Sequence, residues 1–188
     1  MIVSLSELLT KDLWGKVIVF PTDTVYGIGC LLSDLESVKR IYEIKERDYS
    51  KPFAILISST DQLNSLVKDT ASLEPYASRY WPGALTLISA KNDLVDPLIT
   101  AGNPTVGIRM PRHEISLAIL NHFGPMVVTS LNISSKPSIL DFEEAKLFED
   151  QVDYMIDGGT LSHSASTVFD TITKKVLRQG ELVIKNEE

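Results

Sequence analysis

The sequence has very few of the residues that form covalent bridges or metal sites. Cys30 is the single cysteine among 188 residues, which excludes an internal disulfide and a zinc site made of cysteines. A lone cysteine in a globular domain is most often buried, so we expect Cys30 in the core, with a nucleophilic role as the weaker alternative. His113, His122 and His163 lack the HExxH spacing and any neighbouring ligand pair, and the sequence predicts no metal site.

Long hydrophobic runs are also absent. The longest apolar segments, such as 17–20 and 126–128, fall far short of the roughly 20 residues that cross a bilayer. The N-terminal segment carries Glu7 within its apolar stretch and has neither a basic leader nor a small-residue cleavage site, unlike a signal peptide. We therefore expect a cytoplasmic protein that does not contact a membrane.

Charge and composition are those of an acidic globular domain. Lys and Arg number 18 against 25 Asp and Glu, and the net charge of −7 argues against binding nucleic acid through overall charge. Any site for a polyanion must therefore be local. The hydrophobic share of 44% and the charged share of 23% exclude a disordered chain. Without an internal repeat or a linker, the length predicts a single domain over residues 1–188.

Short apolar strands alternate with amphipathic helices along the chain, which predicts an α/β fold with a mixed sheet flanked by helices. The helices are predicted at 35–46, 61–67, 70–80 and 114–122. The strands are predicted at 16–20, 53–57, 85–90, 106–110, 125–130, 154–156, 166–172, 175–177 and 182–184.

None of the common catalytic or nucleotide-binding loops is complete. Gly27-Ile28-Gly29 begins like a dinucleotide-binding turn, but the third glycine of that motif would fall on Leu32. The sequence contains neither a P-loop nor the GxSxG elbow of serine hydrolases. These absences argue against a bound NAD, a P-loop nucleotide site and a serine triad.

Polar residues follow the ends of two predicted strands. Thr22-Asp23-Thr24 comes directly after the first strand, where a turn would present its hydroxyls. Ser130 and Asn132, two residues apart, leave the strand at 125–130 in the same way. Ligands of open α/β sheets commonly lie beyond strand ends, so these residues are candidates for a site.

A third group lies on the strand at 106–110. The period of two along a strand puts Thr105, Gly107 and Arg109 on one face, so that a hydroxyl, a gap and a cation share one wall. This wall is a further candidate for a binding site.

Each candidate also has a purely structural interpretation. Thr22 and Thr24 are equally suited to satisfying the backbone of their own turn. Lys45 and Arg47 lie at the C-terminal end of a predicted helix, with Glu43 and Glu46 close by, which is typical of a solvated face. From the residues alone, the solvated face is the favoured interpretation for Lys45 and Arg47.

Seven segments, in order, resemble the YrdC-like family of L-threonylcarbamoyladenylate synthases. The resemblance extends from about residue 16 to residue 180 and implies a twisted mixed sheet that curves around a basic cavity. The segments are PTDTVYGIG (21–29), KER (45–47), KPFAILI (51–57), WPGALTLI (81–88), TVGIRMP (105–111), SLN (130–132) and STVFD (166–170).

The resemblance implies a nucleotidyltransferase that joins L-threonine, bicarbonate and ATP into threonylcarbamoyl-AMP and releases pyrophosphate. Transferase proteins would then pass the threonylcarbamoyl group to an adenosine of tRNA, and direct binding of tRNA has weak support because the net charge is negative. Mg²⁺ would enter on the ATP phosphates, since the sequence has no dense cluster of carboxylates to form its own cage.

The family signature KxR…SxN assigns the site residues. Lys45, Arg47, Ser130 and Asn132 fall on that signature and are the expected catalytic residues. The expected substrate contacts, with Arg109 at the threonine carboxylate, are Thr22, Thr24, Thr105, Arg109, Ser166 and Arg178.

The chain departs from the family pattern at three positions. Leu131 replaces a small residue, Ser135 replaces a glycine that would accept a positive φ, and Asp48 stands where proline is usual. These departures leave open a paralogue that binds nucleotide or RNA with little synthase activity. A role in carbamoyl transfer during hydrogenase maturation is the weakest alternative. Because the chain ends soon after Gly180, we also expect it to lack the further C-terminal domain of longer synthases.

Overall fold

The computed structural model describes residues 1–185 and contains one nine-stranded mixed sheet with helices packed on it. This confirms the α/β fold expected from the sequence. The strands, in chain order, are β1 (Ile18–Phe20), β2 (Gly27–Leu31), β3 (Ala54–Leu56), β4 (Leu85–Ala90), β5 (Thr105–Arg109), β6 (Met126–Ser130), β7 (Tyr154–Met155), β8 (Thr167–Asp170) and β9 (Lys175–Arg178).

The order of strands across the sheet differs strongly from their order in the chain. It runs β7-β1-β2-β6-β3-β5-β4-β8-β9. Three neighbouring pairs are parallel, namely β1 with β7, β3 with β5, and β4 with β8, and the other pairs are antiparallel. Segments that are distant in the sequence therefore become neighbours at the centre of the sheet.

The helices are short, and several differ from the predicted ranges. The segment at 61–67 forms a 3-10 helix (Thr60–Ser65), a second 3-10 helix covers Lys146–Gln151, and the helix expected at 70–80 begins only at Glu74. The α-helices are α1 (Leu5–Leu8), α2 (Leu35–Ile44), α3 (Glu74–Tyr80), α4 (Pro97–Thr100), α5 (Glu114–Phe123) and α6 (Phe142–Ala145).

Strand β2 was not expected from the sequence, because its two glycines looked like part of a loop. A Cβ at Gly27 would lie 2.9 Å from a Val128 methyl group, and one at Gly29 would lie 2.7 Å from the Val127 carbonyl oxygen. Close approach of β6 therefore requires glycine at both positions. The expected strand at 182–184 is wrong, since that segment is irregular.

Apolar side chains from both faces of the sheet form two buried clusters. Cys30 lies in one of them, and burial raises the pKa of its thiol to about 12, so the thiol stays protonated and the nucleophilic alternative finds no support. Within residues 1–185, no helix has the length and apolar character needed to cross a membrane.

Candidate active site

A cavity of about 250 Å³ lies on one face of the central strands. Strands β3, β4 and β5 contribute every second residue, as expected for one face of a sheet. Thr86 and Ile88 come from β4, and Ala54 and Leu56 come from β3. The predicted site residues that line the same cavity are Thr22, Thr24, Arg47, Thr105, Arg109, Ser130, Ser166 and Arg178.

Strand β5 forms the wall that its period of two predicts. Thr105, Gly107 and Arg109 all line the cavity. A Cβ at Gly107 would stand 3.1 Å from the Ile88 side chain and 3.2 Å from the Thr86 methyl group. Gly107 therefore leaves room for the β4 side chains, which pack directly over the β5 backbone.

Arg109 is almost completely buried and held by three partners. Its Nε donates to the Gly83 carbonyl oxygen at 3.1 Å, Nη1 donates to Thr24 Oγ1 at 2.9 Å, and Nη2 donates to Asp23 Oδ1 at 2.5 Å. Asp23 therefore neutralises the Arg109 charge from outside the cavity lining. The guanidinium group is fixed in place before any ligand enters.

The hydroxyls of Thr22 and Thr24 bind mainly to the protein itself. Thr22 Oγ1 donates to the Val25 carbonyl oxygen at 2.7 Å and lies 3.0 Å from Thr24 Oγ1. Since Thr22 has given its hydrogen to Val25, Thr24 donates in the bond between the two hydroxyls. The structure thus combines both interpretations, because the pair stabilises its turn and also lines the cavity.

Arg47 enters the cavity from beyond the end of α2. Its Nε and Nη2 donate to the carbonyl oxygens of Lys51 and Pro52 at 3.2 and 2.9 Å. The guanidinium also stacks over the Phe53 ring, 5.2 Å from its centroid. Arg47 is therefore a held cation at the cavity wall, in contrast to the solvated face favoured from the residues alone.

Arg178 and Ser166 form a second cationic corner. Arg178 Nε and Nη2 donate to the Ser166 carbonyl oxygen at 3.0 and 2.8 Å, and Nη2 also donates to Ser166 Oγ at 3.1 Å. Thr86, which the sequence analysis did not select, lies 2.8 Å from Ser166 through their hydroxyl oxygens. The sequence signal that could have indicated Thr86 is that it is the one polar side chain in the otherwise apolar WPGALTLI segment.

Lys45 and Asn132, two of the expected catalytic residues, lie behind the cavity wall and do not line the cavity. The solvated face favoured for Lys45 from the residues alone is wrong. The Lys45 side chain is fully buried, and its Nζ donates to the Ser130 carbonyl oxygen and to Asn132 Oδ1 and O at 2.8 and 3.0 Å. Ser130 Oγ donates to the same Asn132 Oδ1 at 2.8 Å. Burial, assisted by repulsion from Arg47, lowers the pKa of Lys45 to about 7.

The three departures from the family pattern lie outside the cavity lining. Leu131 is buried in the core. Asp48 is exposed, and the Ser50 amide donates to its carboxylate at 2.8 Å, which lowers the pKa of Asp48. Ser135 adopts a φ of 69°, the left-handed conformation that favours glycine.

The cavity offers many hydrogen-bond donors and is suited to anions. Three arginines, from different parts of the chain, line it together with several hydroxyls, and no carboxylate is among its lining residues in the described part of the chain. The apolar side of the cavity, which includes Phe53, Leu56 and Val128, provides a surface for a nonpolar or aromatic group. A ligand with both an anionic and a nonpolar part would match these two surfaces.

Comparison with known proteins identifies close relatives over nearly the whole chain. The threonylcarbamoyl-AMP synthase of Pyrococcus abyssi is 41% identical over 180 residues, which cover 93% of this chain and 53% of that protein. The threonylcarbamoyl-AMP synthase of Bacillus subtilis is 39% identical over 149 residues, covering 77% of this chain and 43% of that protein. The chain thus spans about half the length of these two relatives.

Structural comparison also identifies a threonylcarbamoyl-AMP synthase as similar to this chain. The crystal structure of P. abyssi Sua5 complexed with L-threonine matches with a TM-score of 0.90 and 36% identity, covering 97% of this chain and 58% of that one. A sequence profile of the Sua5/YciO/YrdC family, described as telomere recombination, matches residues 13–180. On this evidence the chain belongs to the Sua5/YciO/YrdC family.

Proposed function

We propose that the chain is an L-threonylcarbamoyladenylate synthase, a nucleotidyltransferase. The observation that carries the proposal is the convergence of Arg47, Arg109 and Arg178 on one cavity that also has an apolar side. The names of the relatives, and the L-threonine in the related crystal structure, support this choice of substrates.

The proposed reaction has two bond-forming steps. The amine of L-threonine attacks the carbon of bicarbonate, and loss of water leaves a carbamate. A carbamate oxygen then attacks the α-phosphorus of ATP, and the bond from that phosphorus to the bridging oxygen breaks. The products are threonylcarbamoyl-AMP, pyrophosphate and water. Such chemistry needs mainly alignment of the reactants and neutralisation of charge.

The cavity residues divide these tasks. Arg47 and Arg178 have no carboxylate partner among the ion pairs of residues 1–185, so they are available for phosphate or carbamate oxygens. Arg109, already neutralised by Asp23, remains our candidate for the threonine carboxylate through its unused donor hydrogens. Lys45 and Asn132 act indirectly, since they hold Ser130 at the wall.

Threonine and serine hydroxyls supply the neutral contacts. We assign Thr24, Thr105, Ser130 and Ser166 to hydrogen bonds with threonine, phosphate or ribose, and Thr22 to the support of Thr24. Within residues 1–185, no group of three or more His, Cys, Asp or Glu side chains is placed to hold a metal ion. The phosphates of ATP would therefore bring Mg²⁺ with them.

The product would be used in threonylcarbamoylation of tRNA by separate transferase proteins, in the cytoplasm. Direct binding of tRNA by this chain has only weak support, because the net charge of −7 disfavours it.

Mass spectrometry of the reaction products tests the proposal. The protein is incubated with ATP, Mg²⁺, bicarbonate and L-threonine, and each is omitted in turn. Threonylcarbamoyl-AMP should form only in the full mixture. A folded protein that binds ATP but forms none of this product would instead favour the paralogue with little synthase activity.

A further inference from the structure

Thr86 lines the cavity but is not one of the site residues predicted from the sequence. It is 6% exposed, and its hydroxyl oxygen lies 2.8 Å from that of Ser166, which is 5% exposed. The two residues come from segments 80 positions apart in the sequence, and the parallel pairing of β4 with β8 brings them together. What this hydroxyl pair offers to a ligand depends on where its two hydrogens point.

The hydrogen count at this pair is constrained by Arg178. Arg178 Nη2 donates to Ser166 Oγ, so one lone pair of that oxygen is already occupied. One of the two hydroxyl hydrogens lies between Thr86 and Ser166, and the other remains. If the Thr86 hydroxyl is the donor, Ser166 Oγ accepts hydrogen bonds from both Thr86 and Arg178. The hydrogen of the Ser166 hydroxyl is then free to point into the cavity.

Packing fixes Thr86 in the orientation that this bond needs. A threonine in a strand has few accessible χ1 angles because its Cβ is branched. The Thr86 methyl group faces Gly107, where an added Cβ would stand only 3.2 Å away. The methyl group therefore occupies the space above Gly107, and the hydroxyl is directed to Ser166.

On the other side, backbone packing fixes Ser166. A Cβ at Gly180 would lie 2.4 Å from the Ala165 carbonyl oxygen, so the segment after Arg178 lies directly against the start of β8. The Gly180 amide also donates to Thr167 Oγ1 at 3.0 Å. The Ser166 backbone is thereby held in place, and its hydroxyl oxygen contacts the Thr86 hydroxyl and Arg178 Nη2.

We propose that Thr86 is a positioning residue for the synthase reaction, a role that rests on the function proposed above. Its hydroxyl donates to Ser166 Oγ and thereby turns the Ser166 hydroxyl into a donor directed at the cavity. Together with Arg178, this donor forms a corner that recognises an oxygen-rich anionic group of the substrate, such as a phosphate or a carboxylate.

Two substitutions at position 86 separate this role from simple packing. Thr86→Val keeps the shape and the methyl contact with Gly107 but removes the hydroxyl, whereas Thr86→Ser keeps the hydroxyl. We expect Thr86→Val to raise the KM for one of L-threonine and ATP about fivefold to tenfold, with the other KM unchanged. Thr86→Ser should retain KM values within about twofold of the wild type, because the bond to Ser166 remains.

Thr171→Val is the matched control. Thr171 is also a buried threonine, and its hydroxyl donates to the Ile88 carbonyl oxygen of β4 at 2.8 Å, but it does not line the cavity. This variant should lose stability and leave both KM values unchanged. Equal KM values in the wild type and Thr86→Val would overturn the positioning role, and so would equal defects in the Val and Ser variants.

Direct binding keeps this inference distinct from the proposed function. Affinities for L-threonine and for ATP, each alone, are measured by calorimetry on the wild type and both variants. A wild type that binds but forms no product would refute the synthase, while a loss of affinity in Thr86→Val alone would still support the role of Thr86. A wild type that binds neither molecule would overturn both proposals.

Discussion

The Asp23 carboxylate lies 2.5 Å from Arg109 Nη2, and both side chains are nearly inaccessible to solvent. Asp23 precedes Thr24, which accepts a hydrogen bond from the same guanidinium group. The turn after β1 and the end of β5 are thus joined by one ion pair and one hydrogen bond. These two contacts lie at one side of the cavity. The charge of Arg109 therefore stabilises the fold as well as lining the site.

Asp23→Asn should destabilise the protein strongly. The substitution leaves the buried Arg109 cation without its carboxylate, and we expect the free energy of unfolding to fall by about 3 kcal/mol. Urea unfolding measures the change. The double variant with Arg109→Met should recover part of the loss, because it removes the uncompensated charge. Strict additivity of the two single effects would contradict a coupled pair.

The buried Lys45 predicts a pH dependence of stability. Its pKa is about 7 in the folded chain and returns to the ordinary lysine value of 10.5 in the unfolded chain, so the unfolded state binds more protons between these two pH values. The contribution of Lys45 to stability therefore increases as the pH rises through this interval. Urea unfolding at pH 6.5 and pH 9 should show that the wild type gains stability relative to Lys45→Met. A constant difference between the two proteins would contradict the shifted pKa.

Arg47→Ala should reduce synthase activity without unfolding the protein. The loss of a charge-assisted contact of roughly 1.5–3 kcal/mol predicts that kcat/KM for pyrophosphate release falls at least about tenfold. Arg112→Ala is the control, since Arg112 is exposed and donates to the Pro82 carbonyl oxygen outside the cavity lining. Full activity in Arg47→Ala would remove Arg47 from the proposed site.

Thr100→Val should stabilise the protein. The Thr100 side chain is completely buried, and its hydroxyl has no hydrogen-bond partner within the described residues. Replacing this hydroxyl by a methyl group should stabilise the fold by about 1 kcal/mol and raise Tm by about 2–4 °C. Thr171→Val makes the same chemical change where a hydrogen bond is lost, so calorimetry should show a lower Tm there. Shifts of the same sign would contradict the assignment.

Ser135→Gly should relieve backbone strain. Serine at a φ of 69° costs about 1 kcal/mol relative to the right-handed region, and glycine avoids this cost. We expect a gain of about 0.5–1 kcal/mol in the free energy of unfolding, measured in urea. Ser138→Gly in the same segment should lower stability, because Ser138 is not among the residues with positive φ. A loss of stability in Ser135→Gly would contradict a strained, left-handed backbone at this residue.

Much of the fold could be predicted from the sequence because the strands are apolar and bounded by turn residues. The β5 wall follows from the period of two alone, and Thr105, Gly107 and Arg109 indeed line one cavity. Strand β2 could not be predicted from local propensity, since Gly27 and Gly29 are explained only by the close approach of β6. Tertiary contact decides such positions.

The same limit applies to Lys45. Its spacing from the glutamates at the end of α2 is typical of a solvated helix end, and nothing local indicates burial. Its three oxygen acceptors come from Ser130 and Asn132, 85 and 87 positions further along the chain. The family signature pointed to the right cluster of residues, but only the three-dimensional structure shows that Lys45 supports the wall from behind.

The strand order has a consequence for how the protein is made. The cavity takes residues from Thr22 near one end of the chain to Arg178 near the other, and β1 pairs with β7 across 136 positions. Contacts between such distant segments form slowly. A nascent chain that has not yet been extended beyond residue 165 would have Arg47 and Arg109 but neither Ser166 nor Arg178. The complete cavity wall can therefore exist only after Arg178, in the last strand of the described residues, has been synthesised.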